Sequence, residues 1–236
     1  MVRGVFMTYK KKICLEKSMI TSTSNQQMKN LMLLMKKAKA RNEQELFVVE
    51  GRKMFQEVPE EWLKQVYVSE SFFAENDKML AGYTYEIVSD SVFKAVSDTQ
   101  TPQGILCLVR KPQYRLEELL KGADTHLLIL ESIQDPGNLG TMLRTGEGAG
   151  ISGVVMNHTT VDLFNPKTIR STMGSIYRMP FFVTRDLAET FCELKNAGVK
   201  TYAAHLKGKM QYDELDYTGA TAVMFGNVGN WLSDDI

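Results

Sequence analysis

From residue 22 onward the apolar positions fall into two alternating series of helices and strands. Ser24 can cap a helix over residues 25–43, in which Met28, Leu31, Met32, Met35 and Ala38 recur at helical spacing. Short apolar runs then alternate with helical stretches. "LFVVEG", "QVYVSE", "TYEIVSD" and "GILCLVRK" read as strands, and "RKMFQEV", "SFFAENDKML" and "SVFKAVSD" as helices, with a break near Pro59. This pattern predicts a small α/β domain over residues 21–110. The Met and Leu stripe of its first helix reads as core. Residues 111–124, "KPQYRLEELLKGAD", read as a linker with one helical turn.

A second alternation fills 125–236. Strands are expected at "HLLILES", "GVVMN", "MPFFVT", "KTYAAHL" and "TAVMFGN", with helices at "TMLRTGEGAG", "TIRSTMGSIY" and "DLAETFCELKNAG". Strands and helices at this spacing predict a mostly parallel sheet with helices on both faces. In such sheets ligands sit beyond the carboxyl ends of the strands. Three loops rich in Gly, Asn and Pro fall at that edge: "DPGNLG", "FNPK" and "GNVGN".

Charge changes the picture at the front of the chain. The net charge is zero, yet residues 1–41 carry ten Lys/Arg against one acid, Glu16, leaving eighteen basic and twenty-seven acidic residues in the rest. A basic front on an acidic body suits a polyanion partner, and a solvated basic tail reads the same way. Lys29, Lys36, Lys37 and Arg41, on or near the first helix, are the candidates for holding that partner. Residues 1–20 read as a basic extension without the apolar core of a signal peptide; Met19 resembles a start, so residues 1–18 are an upstream extension or a disordered arm. The three cysteines are widely separated and make neither a metal spacing nor a disulfide framework, which points to a reducing cytoplasm. No apolar run reaches the roughly 20 residues of a membrane span.

In "DPGNLGTMLRTGEGAG", Pro136 and Gly137 turn the chain, Asn138 can bond backbone or ligand, and Gly140 allows close approach at a helix entrance. Arg144 follows one turn into that helix. Gly146, Gly148 and Gly150 would permit tight helix packing. Neither a dinucleotide fingerprint nor a P-loop is present. In "NPKTIRSTMGSIYRMP", Asn165-Pro166 is a helix-entry signal, Arg170 lies in the first turns, and Ser171, Gly174 and Ser175 make a small-residue face. Arginines near two helix N-termini at one sheet edge make a phosphate-favouring rim; taken singly, each stretch also reads as a structural turn with a surface arginine.

These two stretches and "VMFGNVGN" stand in the order and spacing of the three motifs of the SpoU/TrmH-type RNA 2′-O-ribose methyltransferases, within the SPOUT superfamily, which the chain resembles from about residue 20 to its end. The resemblance implies a small ribosomal-protein-like substrate-binding domain followed by a SPOUT-type parallel-sheet domain. It implies methyl transfer from S-adenosyl-L-methionine to a ribose 2′-hydroxyl of RNA, without a metal. A separate substrate domain favours rRNA over tRNA. Asn138 and Arg144 match the first motif's Asn and catalytic Arg. Asn165, Arg170 and Gly174 match the second motif, and the resemblance puts Arg144, Asn165 and Arg170 at the RNA. Gly226, Asn227 and Gly229 match the cofactor-binding third motif, and His205 and Leu206 fall where the family flanks the adenosine.

The third motif departs from the pattern: Val228 stands where the family has Glu, and Trp231 where it has Gly. The family continues into a strand and helix that thread a deep trefoil knot and build the homodimer interface. With the chain stopping at Ile236, the expectation is a truncated domain lacking that knot segment, impaired in activity and doubtful as a dimer. The competing class is an RNA-binding protein without catalysis. Two roles stay open for Arg144: an unusual base, or a cation stabilising the developing alkoxide, since a guanidinium with a pKa above about 12 is normally always charged.

Overall fold

The computed structural model describes residues 19–122, 125–205 and 208–226. Residues 46–50 alternate their side chains across a sheet. Phe47 and Val49 face one way and Val48 the other, and each face meets a different apolar layer. This strand, β1 (Leu46–Glu50), pairs antiparallel with β4 (Ile105–Arg110), with Phe47 opposite Val109. β4 pairs antiparallel with β2 (Leu63–Ser69), which runs parallel to β3 (Tyr85–Val88), giving the order β1-β4-β2-β3.

The expected single first helix is two: α1 (Gln26–Lys36) and α2 (Ala38–Gln44). Lys37, with φ −124° and ψ 112°, is extended between them. Asn25 rather than Ser24 caps α1, its side-chain oxygen accepting from the Gln27 amide at 2.8 Å. Met28, Leu31 and Leu34 are buried against the first sheet, whereas Ala38, expected in the stripe, is exposed beyond the break. Around the remaining strands lie α3 (Arg52–Glu57), α4 (Glu70–Asn76) with a following 3₁₀ turn, and α5 (Asp90–Val96).

The second sheet is wholly parallel. β5 (His126–Leu130), β6 (Gly153–Asn157), β7 (Phe181–Thr184), β8 (Lys200–Ala203) and β9 (Thr221–Phe225) stand in the order β7-β6-β5-β9-β8. β5 is central. Its Leu128 and Leu130 face α7 (Pro136–Gly148) and α8 (Pro166–Thr172); its Leu127 and Ile129 face α6 (Leu116–Leu119) and α9 (Leu187–Asn196). Helices thus cover both faces, as the pattern predicts.

The two sheets are not separate bodies. One apolar core runs from Phe47 and Val49 of β1 through Phe164 and Phe181 to Leu130, Leu139 and Leu143. The Phe47 and Phe164 rings lie 4.8 Å apart, and Phe164 packs edge-on against Phe181. The 111–122 stretch joins this packing: Tyr114 stands edge-on to Phe181, and Leu116 and Leu119 are buried under β5.

Candidate active site

The carboxyl ends of β5 and β6 are tied by short polar bonds. The Ser132 amide donates to Asn157 Oδ1 at 2.8 Å, and Ser132 Oγ meets Thr159 Oγ1 at 2.7 Å. Thr160 Oγ1 adds a 2.9 Å bond to the same Asn157 oxygen. Ser132 has φ 54°, a conformation these bonds hold in place.

α7 begins earlier than the sequence pattern suggests. Asp135 is its N-cap, with Oδ1 accepting from the Asn138 amide at 2.8 Å, and Pro136 takes the first helical position, where its missing N–H costs nothing. Asn138 and Gly140 therefore lie inside the helix rather than in a loop. Arg144 sits more than two turns in, not one. Side chains tilt toward a helix's N-terminus, so this long side chain leans back toward the carboxyl edge. It is exposed and has no ion pair or hydrogen bond to another described residue.

Gly140 is where α7 and α8 meet. A Cβ there would lie 2.5 Å from both Ser171 Cβ and the Thr168 carbonyl oxygen. Gly146, Gly148 and Gly150, expected to serve tight packing, do not: Gly146 has ordinary clearance and the other two face open space.

α8 starts with Asn165 capping the Lys167 amide at 2.9 Å and Pro166 next to it. Two helix N-termini thus open at one edge. Lys167 Nζ reaches back to the Asp135 carboxylate at 3.2 Å. The Asn138 amide, with help from Lys167, holds Asp135 below the usual carboxylate range. Arg170 lies in the last turn of α8, not the first, and its Nη1 donates to Asp98 Oδ2 at 2.7 Å.

The segment 162–178 is fastened to the first sheet's helices and loops at three points. At its start, Arg41 Nε and Nη2 both donate to Asp162 Oδ2, at 2.8 and 2.5 Å. In its middle, Arg170 meets Asp98. At its end, Arg178 Nη1 donates to Glu57 Oε2 at 2.7 Å while its Nε holds Glu147 of α7, whose other oxygen accepts from Ser175 Oγ. The bond from Arg178 holds the Glu147 carboxyl below the usual carboxylate range, and the two carboxylates raise the Arg178 guanidinium still further above its ordinary value. Gly174, with φ 99°, leaves room for the Glu57 carboxylate, which a Cβ would strike.

The placement of Arg41 corrects the expectation that it contacts a polyanion. It is 3% exposed and spent on internal bonds, so no external phosphate can reach it. Lys29, Lys36 and Lys37 are exposed, as such a contact requires. Asp98, Glu57 and Asp162 lie outside the two quoted motif stretches, and Asp135 and Glu147 lie in the first without having been singled out there. Only Asp135, before a proline and a helix, had a readable signal, the N-cap signature.

At the other side of the edge, His205 follows β8 and Gly226 follows β9, on neighbouring strands. The Phe225 carbonyl accepts from the Glu131 amide at 2.9 Å, and the Phe225 side chain is 39% exposed beside them. Leu206, Asn227 and Gly229 lie outside the described residues, as do Val228 and Trp231. Among the described residues no His/Cys/Asp/Glu group could hold a metal, and no helix is long and apolar enough to cross a membrane.

Comparison with known proteins completes the picture. Residues 125–236 match the SpoU rRNA Methylase family model, and residues 25–107 match the MRM3-like substrate binding domain. The chain is 34% identical over 212 residues to the 23S rRNA (guanosine(2553)-2′-O)-methyltransferase RlmP of Bacillus subtilis, covering 89% of this chain and 82% of that protein. It is 33% identical to the human mitochondrial rRNA methyltransferase 3 over 66% of this chain and 39% of that one. The crystal structure of an rRNA methyltransferase from Sinorhizobium meliloti superposes with a TM-score of 0.80 at 26% identity, over 92% of this chain and 84% of that one; its AdoMet-bound form does so equally. By these matches, the chain belongs to the SpoU rRNA methylase family.

Proposed function

We propose that the protein transfers a methyl group from S-adenosyl-L-methionine to a ribose 2′-hydroxyl of RNA, with rRNA favoured over tRNA. The observation that carries this reading is the state of Arg144. Lys167, Arg170 and Arg178 each hold a carboxylate, while Arg144, on the helix that leaves the central strand, is exposed and unpaired among the described residues. An exposed, unpaired cation at this position suits an anionic substrate.

The described residues fit the cofactor's chemistry. His205 and Gly226 end adjacent strands, and the exposed Phe225 offers an apolar face where an adenine or thioether can lie. Leu206, Asn227 and Gly229 belong to the same proposal. When bound, the cofactor supplies an electrophilic methyl on a sulfonium. The chain's own part is positioning. Reacting atoms must align at about 3–3.5 Å, and the Gly140 contact fixes α7 against α8, hence Arg144 against Asn165. Arg144 then either, as the neutral guanidine, takes the hydroxyl proton and becomes the guanidinium, or, as a permanent cation, stabilises the developing alkoxide and holds the flanking phosphate. Asn138, exposed in the first turn of α7, orients the ribose.

In the same proposal residues 21–110, with Lys29, Lys36 and Lys37, hold the RNA body, and residues 125–236 carry the methyl transfer. The site is cytoplasmic. The family resemblance also implies a homodimer, which sedimentation of the purified chain checks. Calorimetric titration with S-adenosyl-L-methionine tests the reading: saturable binding at one site supports it. A folded chain that gives no heat and still retains RNA supports instead a binding protein without catalysis.

A further inference from the structure

Two cations stand three residues apart on α8, Lys167 and Arg170, and each is covered by an acid from another element. Asp135 covers Lys167 and is also the cap of α7, so it has a structural task of its own. Asp98 has none: its carboxylate makes no bond other than that to Arg170 among the described residues. Its backbone, by contrast, is firmly held. Glu50 accepts from Ser97 Oγ at 2.7 Å, from Thr99 Oγ1 at 2.5 Å and from the Asp98 amide at 3.3 Å. Further along the same loop, Gln103 Oε1 accepts from the Arg52 amide at 2.9 Å. The loop after α5 thus presents one fixed carboxylate to one guanidinium of the second motif.

We propose that Asp98 is a specificity-determining residue that occupies Arg170 in the free protein and must be displaced by a backbone phosphate of the RNA. This deepens the functional reading above and rests on it. Carboxylate and phosphate both fit the guanidinium fork, so the two compete for the same donors. The pair is 35% and 46% exposed, which makes it weak enough to exchange. Arg170 has a long side chain free to swing, while the Glu50 bonds keep Asp98 behind. An RNA with no phosphate at this point leaves Arg170 neutralised and meets the Asp98 carboxylate. An RNA that brings one there gains the guanidinium. Asp98 thereby costs every RNA some affinity, and the cost is recovered only by those that fit.

The test measures fluorescence anisotropy of a labelled mixed-sequence oligoribonucleotide across a KCl series. The expected result is that Asp98→Asn binds roughly three- to fivefold tighter at low salt, the advantage shrinking as salt rises. Glu75→Gln, which neutralises an exposed acid of the same sheet's helices, leaves binding unchanged. Arg170→Gln weakens binding, and adding Asp98→Asn to it brings little gain. Weaker or unchanged binding by Asp98→Asn overturns the proposal, because the carboxylate would then be orienting Arg170 or doing nothing. A gain as large in the Arg170→Gln background overturns it too, since that is a general effect of charge. Wild-type protein that retains no RNA overturns the reading of the function itself, a result distinct from both.

Discussion

Arg41 and Asp162, 121 residues apart in the chain, form an ion pair with a buried guanidinium that joins the first helices to the loop leading into the second motif. The same guanidinium ends α1. Its Nη1 donates to the Leu34 and Met35 carbonyls at 2.5 and 3.2 Å, two of the acceptors a helix C-terminus leaves unpaired. Asp162 in turn uses its other oxygen to hold the Phe164 amide at 3.0 Å. One side chain therefore allows the break at Lys37 and fixes the approach to Asn165.

Removing Asp162 leaves the Arg41 charge buried, because Arg41 is 3% exposed while Asp162 is 22% exposed. Asp162→Ala is expected to cost about 3–5 kcal/mol, the usual penalty for an uncompensated buried charge. Arg41→Lys keeps a charge but cannot serve a carboxylate and two carbonyls at once, so it falls between wild type and Asp162→Ala. Urea denaturation followed by circular dichroism reads both. A loss below about 1 kcal/mol for Asp162→Ala, in the range of exposed pairs, would contradict the burial argument.

Gly140→Ala drives a methyl group into Ser171 and the Thr168 carbonyl, which are backbone-anchored and cannot swing aside. Overpacking of this kind costs about 1–3 kcal/mol. Because it pries α7 from α8, it should also lower kcat more than its stability loss implies. Ser171→Gly in the same chain relieves one of the two clashes and restores part of the loss. Gly148→Ala, at a site with open space, is the control and should be neutral or slightly stabilising.

The clamp of Glu147, Arg178 and Glu57 makes stability depend on acid. Arg178 holds the folded Glu147 carboxyl below its ordinary value of about 4.3. A depressed carboxyl contributes its stability above the unfolded value and loses it as pH falls through the folded one. Melting temperature should hold steady from neutral pH down to about 5 and fall below about 4. Glu147→Gln should melt lower at neutral pH and show a shallower acid limb. Identical acid limbs for the two proteins would remove Glu147 from this role.

Much of the architecture was legible because it rests on local pattern. The alternation of apolar runs showed both sheets, and parallel pairing put the starts of α7 and α8 and the end of β9 at one edge. What the pattern could not show depends on partners distant in sequence. Lys37 carries no breaker residue; the helix ends there because Arg41 folds back on its carbonyls while reaching Asp162. Arg41 itself read as one more surface cation beside Lys36 and Lys37, and nothing local marks it as buried. The start of α7 was misplaced for a different reason: Pro136-Gly137 reads as a turn until Asp135 is recognised as a cap. Arg144 is legible from its motif alone, but the acids covering Lys167, Arg170 and Arg178 come from elements up to 121 residues away.

The most direct measurement incubates rRNA with isotopically labelled S-adenosyl-L-methionine and the purified chain, digests the RNA to nucleosides, and resolves them by mass spectrometry. The expected result is label on a single 2′-O-methyl nucleoside, reduced by about 10²-fold or more in Arg144→Ala, whose exposed side chain leaves the fold intact. Label on a base instead of a ribose, or undiminished labelling by Arg144→Ala, would contradict the account. So would RNA left unlabelled by a wild-type chain that melts cooperatively.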